Sequence, residues 1–154
     1  MKVLVVYDTV SSGKLTGQVA ETISKTLKGN GVDVVSFYVK DVDAAAVENC
    51  DCLIVGAPTM AFRPSMEIAK FLKCLAQGVF SGKQAAAFDT QIQMAISGNA
   101  AKGIEKRLKN LGFTLIKEPL VVYVKGEGKN VWQFKPGELE KVKIWAQETA
   151  KRLS

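Results

Sequence analysis

Lys2-Val3-Leu4-Val5-Val6-Tyr7 runs without a break into Asp8-Thr9-Val10-Ser11-Ser12-Gly13-Lys14-Leu15-Thr16, and an amphipathic segment follows. An apolar run, a turn of hydroxyl residues with Gly, and then a helix start form the anatomy of an anion cradle. Free backbone N–H groups and the helix dipole converge at such a point. The stretch therefore predicts a strand over 2–7, a helix beginning near Thr16, and a phosphate-bearing ligand between them. Thr9, Ser11, Ser12 and Thr16 supply hydroxyls, and Gly13 permits close approach or positive φ. A P-loop is excluded by spacing: position 8 is Asp where that motif needs Gly, and Leu15 separates Lys14 from Thr16.

Outward from this turn, apolar runs alternate with helical periodicity along the whole chain, with no linker, repeat or low-complexity segment. Val19, Ile23 and Leu27 share one helix face that stops at Gly29-Asn30-Gly31. A second strand is predicted over 32–39, a short Ala-rich helix around 43–48, and a third strand over 51–57 closed by Pro58. Ile68, Phe71, Leu72 and Leu75 line a third helix. Strand four is short, 84–88, and its end delivers Asp89-Thr90. A fourth helix near 99–111 ends at Gly112, and Pro119 splits strand five, 113–124, into two pieces of edge strand. The last helix covers 136–152, with Pro136 in its first turn. Five strands and about five helices in this order predict one doubly wound α/β domain, 1–154, with a parallel sheet between two helical layers. Ligands of such sheets lie beyond the carboxyl ends of the strands. The turns 9–16, 58–64 and 89–99 all fall there.

Composition narrows the chemistry. A chain of 154 residues with 47% hydrophobic content is long enough to bury a core without disulfides or metals. Its cysteines, Cys50, Cys52 and Cys74, are odd in number and form no zinc-like array, which points to a reducing compartment. The apolar run before Asp8 is too short for a secretory signal and nothing approaches a membrane span, so the expectation is a cytoplasmic protein without membrane insertion. No His is present, which removes Ser-His-Asp, Cys-His and His-metal chemistry. A phosphatase-type Cys is missing from the first turn, and a receiver-type Asp from the end of strand three, where Gly56-Ala57-Pro58 stand. Residues 1–101 balance in charge, so the net charge of +6 sits in the last third. No aromatic-interleaved basic platform accompanies it, and no nucleic-acid partner is expected. Met60 and Phe62, in Pro58-Thr59-Met60-Ala61-Phe62, bring soft and aromatic side chains to the rim, suited to a flat heteroaromatic ring.

The pattern Val5-Val6-Tyr7-Asp8-Thr9, Gly13, Thr16, Ala20 resembles the FMN-binding signature of flavodoxins, and Gly56-Ala57-Pro58-Thr59-Met60-Ala61-Phe62 resembles their second, ring-covering loop. Ala86-Ala87-Phe88-Asp89-Thr90, Gly98-Asn99-Ala100-Ala101-Lys102-Gly103-Ile104 and Pro136-Gly137-Glu138-Leu139-Glu140 are similar to a prokaryotic flavodoxin-like subgroup. The resemblance implies a flavodoxin-like three-layer sandwich with strand order 2-1-3-4-5, and FMN at the switch point between strands one and three; flavodoxin is itself a standard example of that rule. It places the phosphate on Thr9, Ser11, Ser12, Gly13, Lys14, Leu15 and Thr16. The ring would lie between Pro58, Thr59, Met60, Ala61 and Phe62 on one side and Asp89, Thr90 and Gln91 on the other. Ile92 or Met94 replaces the usual stacking aromatic. The first loop is two residues longer than the family's, Lys14 adds a cation, and the pI near 9.2 departs from an acidic family.

The function implied is an FMN flavoprotein in electron transport, passing electrons between redox proteins and free to meet acidic ones through the basic carboxyl-terminal third. Two alternatives stay open on the sequence. One is an FMN-dependent NAD(P)H or quinone reductase; the other is a module of the same fold that has lost its flavin.

Overall fold

The computed structural model describes residues 1–9, 14–60, 63–75, 80–93, 98–126, 128 and 131–153, with only the backbone of Met60 and Arg63. Strand β1 (Lys2–Tyr7) is flanked on both sides by parallel neighbours, β2 (Asp33–Tyr38) and β3 (Cys52–Met60), so that Val5 lies opposite Ser36 and Ile54. Beyond β3 come β5 (Gln84–Ile92) and β7 (Leu120–Gly126), also parallel. These five strands stand in the expected order, the first between the second and third. Three short strands decorate them. β4 (Arg63–Pro64) turns back antiparallel on β3, β6 (Thr114–Leu115) pairs with the start of β5, and β8 (Trp132–Phe134) lies antiparallel on β7.

Both sheet faces are covered, which is why β1 reads as a continuous apolar run rather than an alternating one. Successive side chains of β1 point to opposite faces. Val3 and Val5 enter a core with Ile23 and Leu27 of α1 (Leu15–Gly29) and Val142 and Trp145 of α5 (Glu138–Arg152). Leu4 and Val6 enter the other core, with Val47 of α2 (Ala44–Asn49), Ile68 and Leu72 of α3 (Met66–Cys74), and Ile104 and Leu108 of α4 (Ala100–Asn110).

The strands differ from expectation at their ends. β3 runs on through Pro58 to Met60. Its neighbour β1 has already ended at Tyr7, so no partner on that flank needs the N–H that proline lacks. β5 continues past Phe88 to Ile92, and Asp89-Thr90-Gln91 are therefore buried strand residues instead of a loop. Pro119 does lie between two extended pieces, β6 and β7, but β8 covers the outer flank of β7, which is not an edge. The last helix starts at Glu138 after Gly137 at φ 83°, leaving Pro136 ahead of it.

Candidate functional site

The carboxyl ends of β1, β3 and β5 form one rim. β1 extends into it by one rung, since the Asp8 N–H donates to Gly56 O at 3.1 Å. Past the turn, Lys14 precedes α1 with φ 51° and ψ 42° and provides no side-chain cap. Among the described residues it is the one non-glycine at positive φ. Gln18 N is the first amide to reach back, to Lys14 O at 3.0 Å. The N–H groups of Leu15, Thr16 and Gly17 are thus the orphan donors of a helix start. A left-handed residue followed by helical ones turns successive amides toward a common point, the geometry of an anion nest.

Of the hydroxyls and side chains assigned to the phosphate turn, Ser11, Ser12 and Gly13 lie outside the described residues. Leu15 packs inward and offers its backbone alone. The Thr16 hydroxyl is buried, 2.7 Å from the Thr90 hydroxyl, and so ties α1 to β5.

The second and third turns are knitted by Asp89, which is 0% exposed. Its Oδ2 accepts from the Thr59 hydroxyl at 3.1 Å, the Gln91 amide at 2.9 Å and the Ala101 N–H at 3.1 Å. Thr59 Oγ1 in turn accepts from the Ala100 N–H at 3.1 Å. The first amides of α4 are therefore satisfied by β3 and β5, while Asn99 Oδ1 accepts from Lys102 N as a local cap. Burial pushes the Asp89 carboxyl above the usual carboxylate range, and the Ala101 amide, Gln91 and Thr59 pull it partly back.

Among the described residues, the buried side-chain oxygens without a hydrogen-bond partner are Thr9 Oγ1, Ser65 Oγ and Asp89 Oδ1. Buried polar atoms are ordinarily paired. Here one orphan follows β1, one sits between β4 and α3, and one lies near the end of β5: each belongs to a segment that meets at the rim.

A cavity of about 660 Å³ opens beside the first turn, lined by Tyr7, Thr9, Lys14, Gly17, Gln18, Glu21 and Tyr38. It lies over the ends of β1 and β2. None of the residues from Pro58 to Thr59 or Asp89 to Gln91 lines it, so it borders the turn expected to hold a phosphate and not the expected ring slot. Tyr7 and Tyr38 meet edge to face at 6.0 Å, and Gly17 leaves room for the Tyr7 ring, which a Cβ would approach at 3.3 Å. The Tyr38 hydroxyl is raised in pKa, first by burial and then by the nearby Asp8 carboxylate.

For the ring, Pro58 is buried in β3, Thr59 is half-buried, and Ile92 is 42% exposed at the end of β5. Ala61, Phe62 and Met94 lie outside the described residues, as does the Met60 side chain. Sequence reading did not find Ser65, the Asp8–Tyr38 pair or the role of Asp89 as a tie. The one available signal was a carboxylate closing the apolar run Ala85–Phe88. Cys50 and Cys52 are free and buried; burial raises the Cys50 thiol and pushes Cys52 up to about 12. Among the described residues no group of three His, Cys, Asp or Glu could hold a metal ion, and no helix is long and apolar enough to cross a membrane.

No family model matches the sequence, and no curated protein matches it. Solved structures do. Oxidised flavodoxin 1 from Bacillus cereus superposes with a TM-score of 0.84 at 20% identity, over 100% of both chains. A flavodoxin from the domain Archaea gives 0.77 at 23% identity, covering 98% of this chain and 97% of that one. Rubredoxin oxygen:oxidoreductase from Desulfovibrio gigas gives 0.79 at 22% identity, and there the match spans 97% of this chain but 35% of the larger protein. From end to end, this chain has the flavodoxin fold.

Proposed function

We propose that this protein binds FMN non-covalently at the rim of β1, β3 and β5 and carries electrons between redox proteins. The observation that carries the reading is a set of three buried side-chain oxygens without a partner among the described residues, Thr9 Oγ1, Ser65 Oγ and Asp89 Oδ1, on segments beside β1, β4 and β5 of a sheet whose strand order reverses between β1 and β3. A bound nucleotide supplies partners for such groups. The Lys14 turn and the open amides of α1 fit a phosphate, joined in this proposal by Thr9, Ser11, Ser12, Gly13 and Thr16. In this proposal Thr59 with Met60, Ala61 and Phe62 would cover the flavin ring on one side, and the Asp89–Gln91 strand end with Ile92 on the other.

The flavin supplies the redox chemistry when bound. The chain's own part is to bind, orient and exclude water. Asp89 holds Thr59 and the Ala101 amide in place, and Thr59 holds the Ala100 amide, which ties the end of β3 to the start of α4. With two buried unpaired thiols and one exposed one, the protein suits a reducing cytoplasm.

Visible absorption and native mass spectrometry of the purified protein test this. A yellow protein carrying one FMN is the expected result. Apoprotein titrated with FMN should quench flavin fluorescence, and riboflavin, lacking the phosphate, should bind at least tenfold more weakly. Equal affinity for both would remove the cradle from the reading. Steady-state turnover of NAD(P)H with a quinone, with no partner protein present, would identify a reductase instead, and a colourless protein that ignores FMN would identify a module without flavin.

A further inference from the structure

Positive charge is in greatest excess on one pair of helices, where six cations face two carboxylates, against six and four on α1 and α5. On the α1–α5 side part of the charge is paired off: Lys25 with Glu21, Lys117 with Glu118 and Glu148, and Lys141 with Glu138. α3 and α4, packed side by side on the opposite layer, carry Lys70, Lys73, Lys102, Lys106, Arg107 and Lys109 against Glu67 and Glu105. All six cations are exposed, both carboxylates are half-buried, and none of the six is in an ion pair among the described residues. α4 also lies close against β4, just ahead of α3, because Gly103 faces Pro64, whose Cδ would lie 3.2 Å from a Cβ there.

This surface is continuous with the rim. α4 begins at Ala100 and Ala101, the residues held by Thr59 and Asp89, and α3 begins at Met66. Met66 is 71% exposed and Ile92 42%, two large apolar side chains at the head of a cationic slope. An apolar centre bordered by charge is the composition of a protein interface rather than of an idle surface. Like charges left unmatched on neighbouring helices cost stability and are relieved by a partner of opposite sign. At the far end of the same layer stand Asp41, Asp43 and Glu48 around α2, so the face is also polar along its length and orients what docks.

We propose that the α3–α4 face, with Met66 at its head, is the docking surface for an acidic redox protein, seated so that the partner covers the rim. The proposal rests on the electron-carrier reading for the partner's redox character; the surface itself does not depend on flavin. Steering by this charge governs association rate and orientation, and salt weakens it.

The test uses isotope-labelled protein titrated with an acidic [2Fe–2S] ferredoxin, with a basic c-type cytochrome as the comparison. With the ferredoxin, amide shifts should concentrate on α3, α4 and Met66, and binding should weaken about tenfold between low salt and roughly 0.2 M. K70E/K73E/K102E/K106E should lose binding about tenfold or more, and K143E/K151E on exposed positions of α5 about twofold at most. Circular dichroism confirms that both variants fold. Shifts spread equally over α5, loss of affinity in the α5 variant alone, no ferredoxin binding, or tighter binding of the cytochrome would overturn the assignment. So would tighter binding of single-stranded RNA or anionic vesicles than of ferredoxin, which would mark a general polyanion site. Because the titration reads amide shifts, a protein that proves colourless fails the flavin reading while this result still stands or falls by itself.

Discussion

Gly56 stands in β3 directly opposite Phe88 of β5, and a Cβ there would lie 2.0 Å from the tip of a ring that is itself fully buried. The glycine is needed for space, not for φ. Gly56→Ala should cost about 1–3 kcal/mol as overpacking, measured by urea unfolding, and Gly56→Ala/Phe88→Leu should recover part of the loss. Full additivity of the two changes would mean that the contact is not shared. Asp89 makes a second prediction at this scale. Its folded-state pKa is raised by burial above an unfolded value of about 3.9, so the folded protein holds the proton more tightly than the unfolded chain. Folding is then unpenalised below the unfolded pKa and loses stability as pH rises through the window up to the folded pKa, after which the loss is constant. Unfolding free energies of the wild type and Asp89→Asn, measured from pH 4 to 7, should show this decline in the wild type and a smaller one in the variant. Parallel curves would show that Asp89 does not titrate in that window.

At the scale of elements, α1 begins in an arrangement that its own stability does not favour. Lys14 adopts φ 51° without capping the helix, and a side chain with a Cβ in the left-handed region costs about 1 kcal/mol. Lys14→Gly should therefore stabilise the apoprotein by up to about 1 kcal/mol while weakening FMN binding severalfold through the lost cation. Lys14→Ala keeps the strain and loses the charge, and should show the weaker binding without the gain in stability. A Lys14→Gly protein no more stable than the wild type would indicate that the turn relaxes at little cost. α4 shows the opposite economy, since its first amides are satisfied by Thr59 and Asp89 from distant strands. This difference also explains what was legible in the sequence. Apolar runs and 3.6-residue periodicity located the five principal strands and five helices, because burial on both faces writes itself locally. Asp89-Thr90-Gln91 read as loop since polar residues rarely continue a buried strand, and the partners that make it tolerable, Thr59 and Ala101, lie 30 and 12 residues away. β4 and β8 escaped notice for a related reason: two or three residues carry no period.

For the whole molecule, the two covered sheet faces determine which groups solvent can reach, and the three cysteines report on it. Cys50 and Cys52 flank Asp51 at the amino end of β3, one in each core, and both are buried, whereas Cys74 is exposed at the end of α3. Cys50 also donates to Val47 O at 3.2 Å. Thiolate, not thiol, attacks a disulfide reagent, and the Cys52 thiol, pushed up to about 12, stays protonated at neutral pH even before access is considered. An aromatic disulfide reagent added to native protein should therefore titrate one thiol rapidly. The other two should follow together, at a rate set by opening of the sheet. Because both cores share β3, that opening is global: the slow phase should accelerate in urea with the denaturant dependence of complete unfolding, and Gly56→Ala should speed it without changing the fast phase. A slow phase that is insensitive to urea, or that splits so that Cys50 reacts well ahead of Cys52, would show that the α2 layer detaches from the sheet independently of the rest.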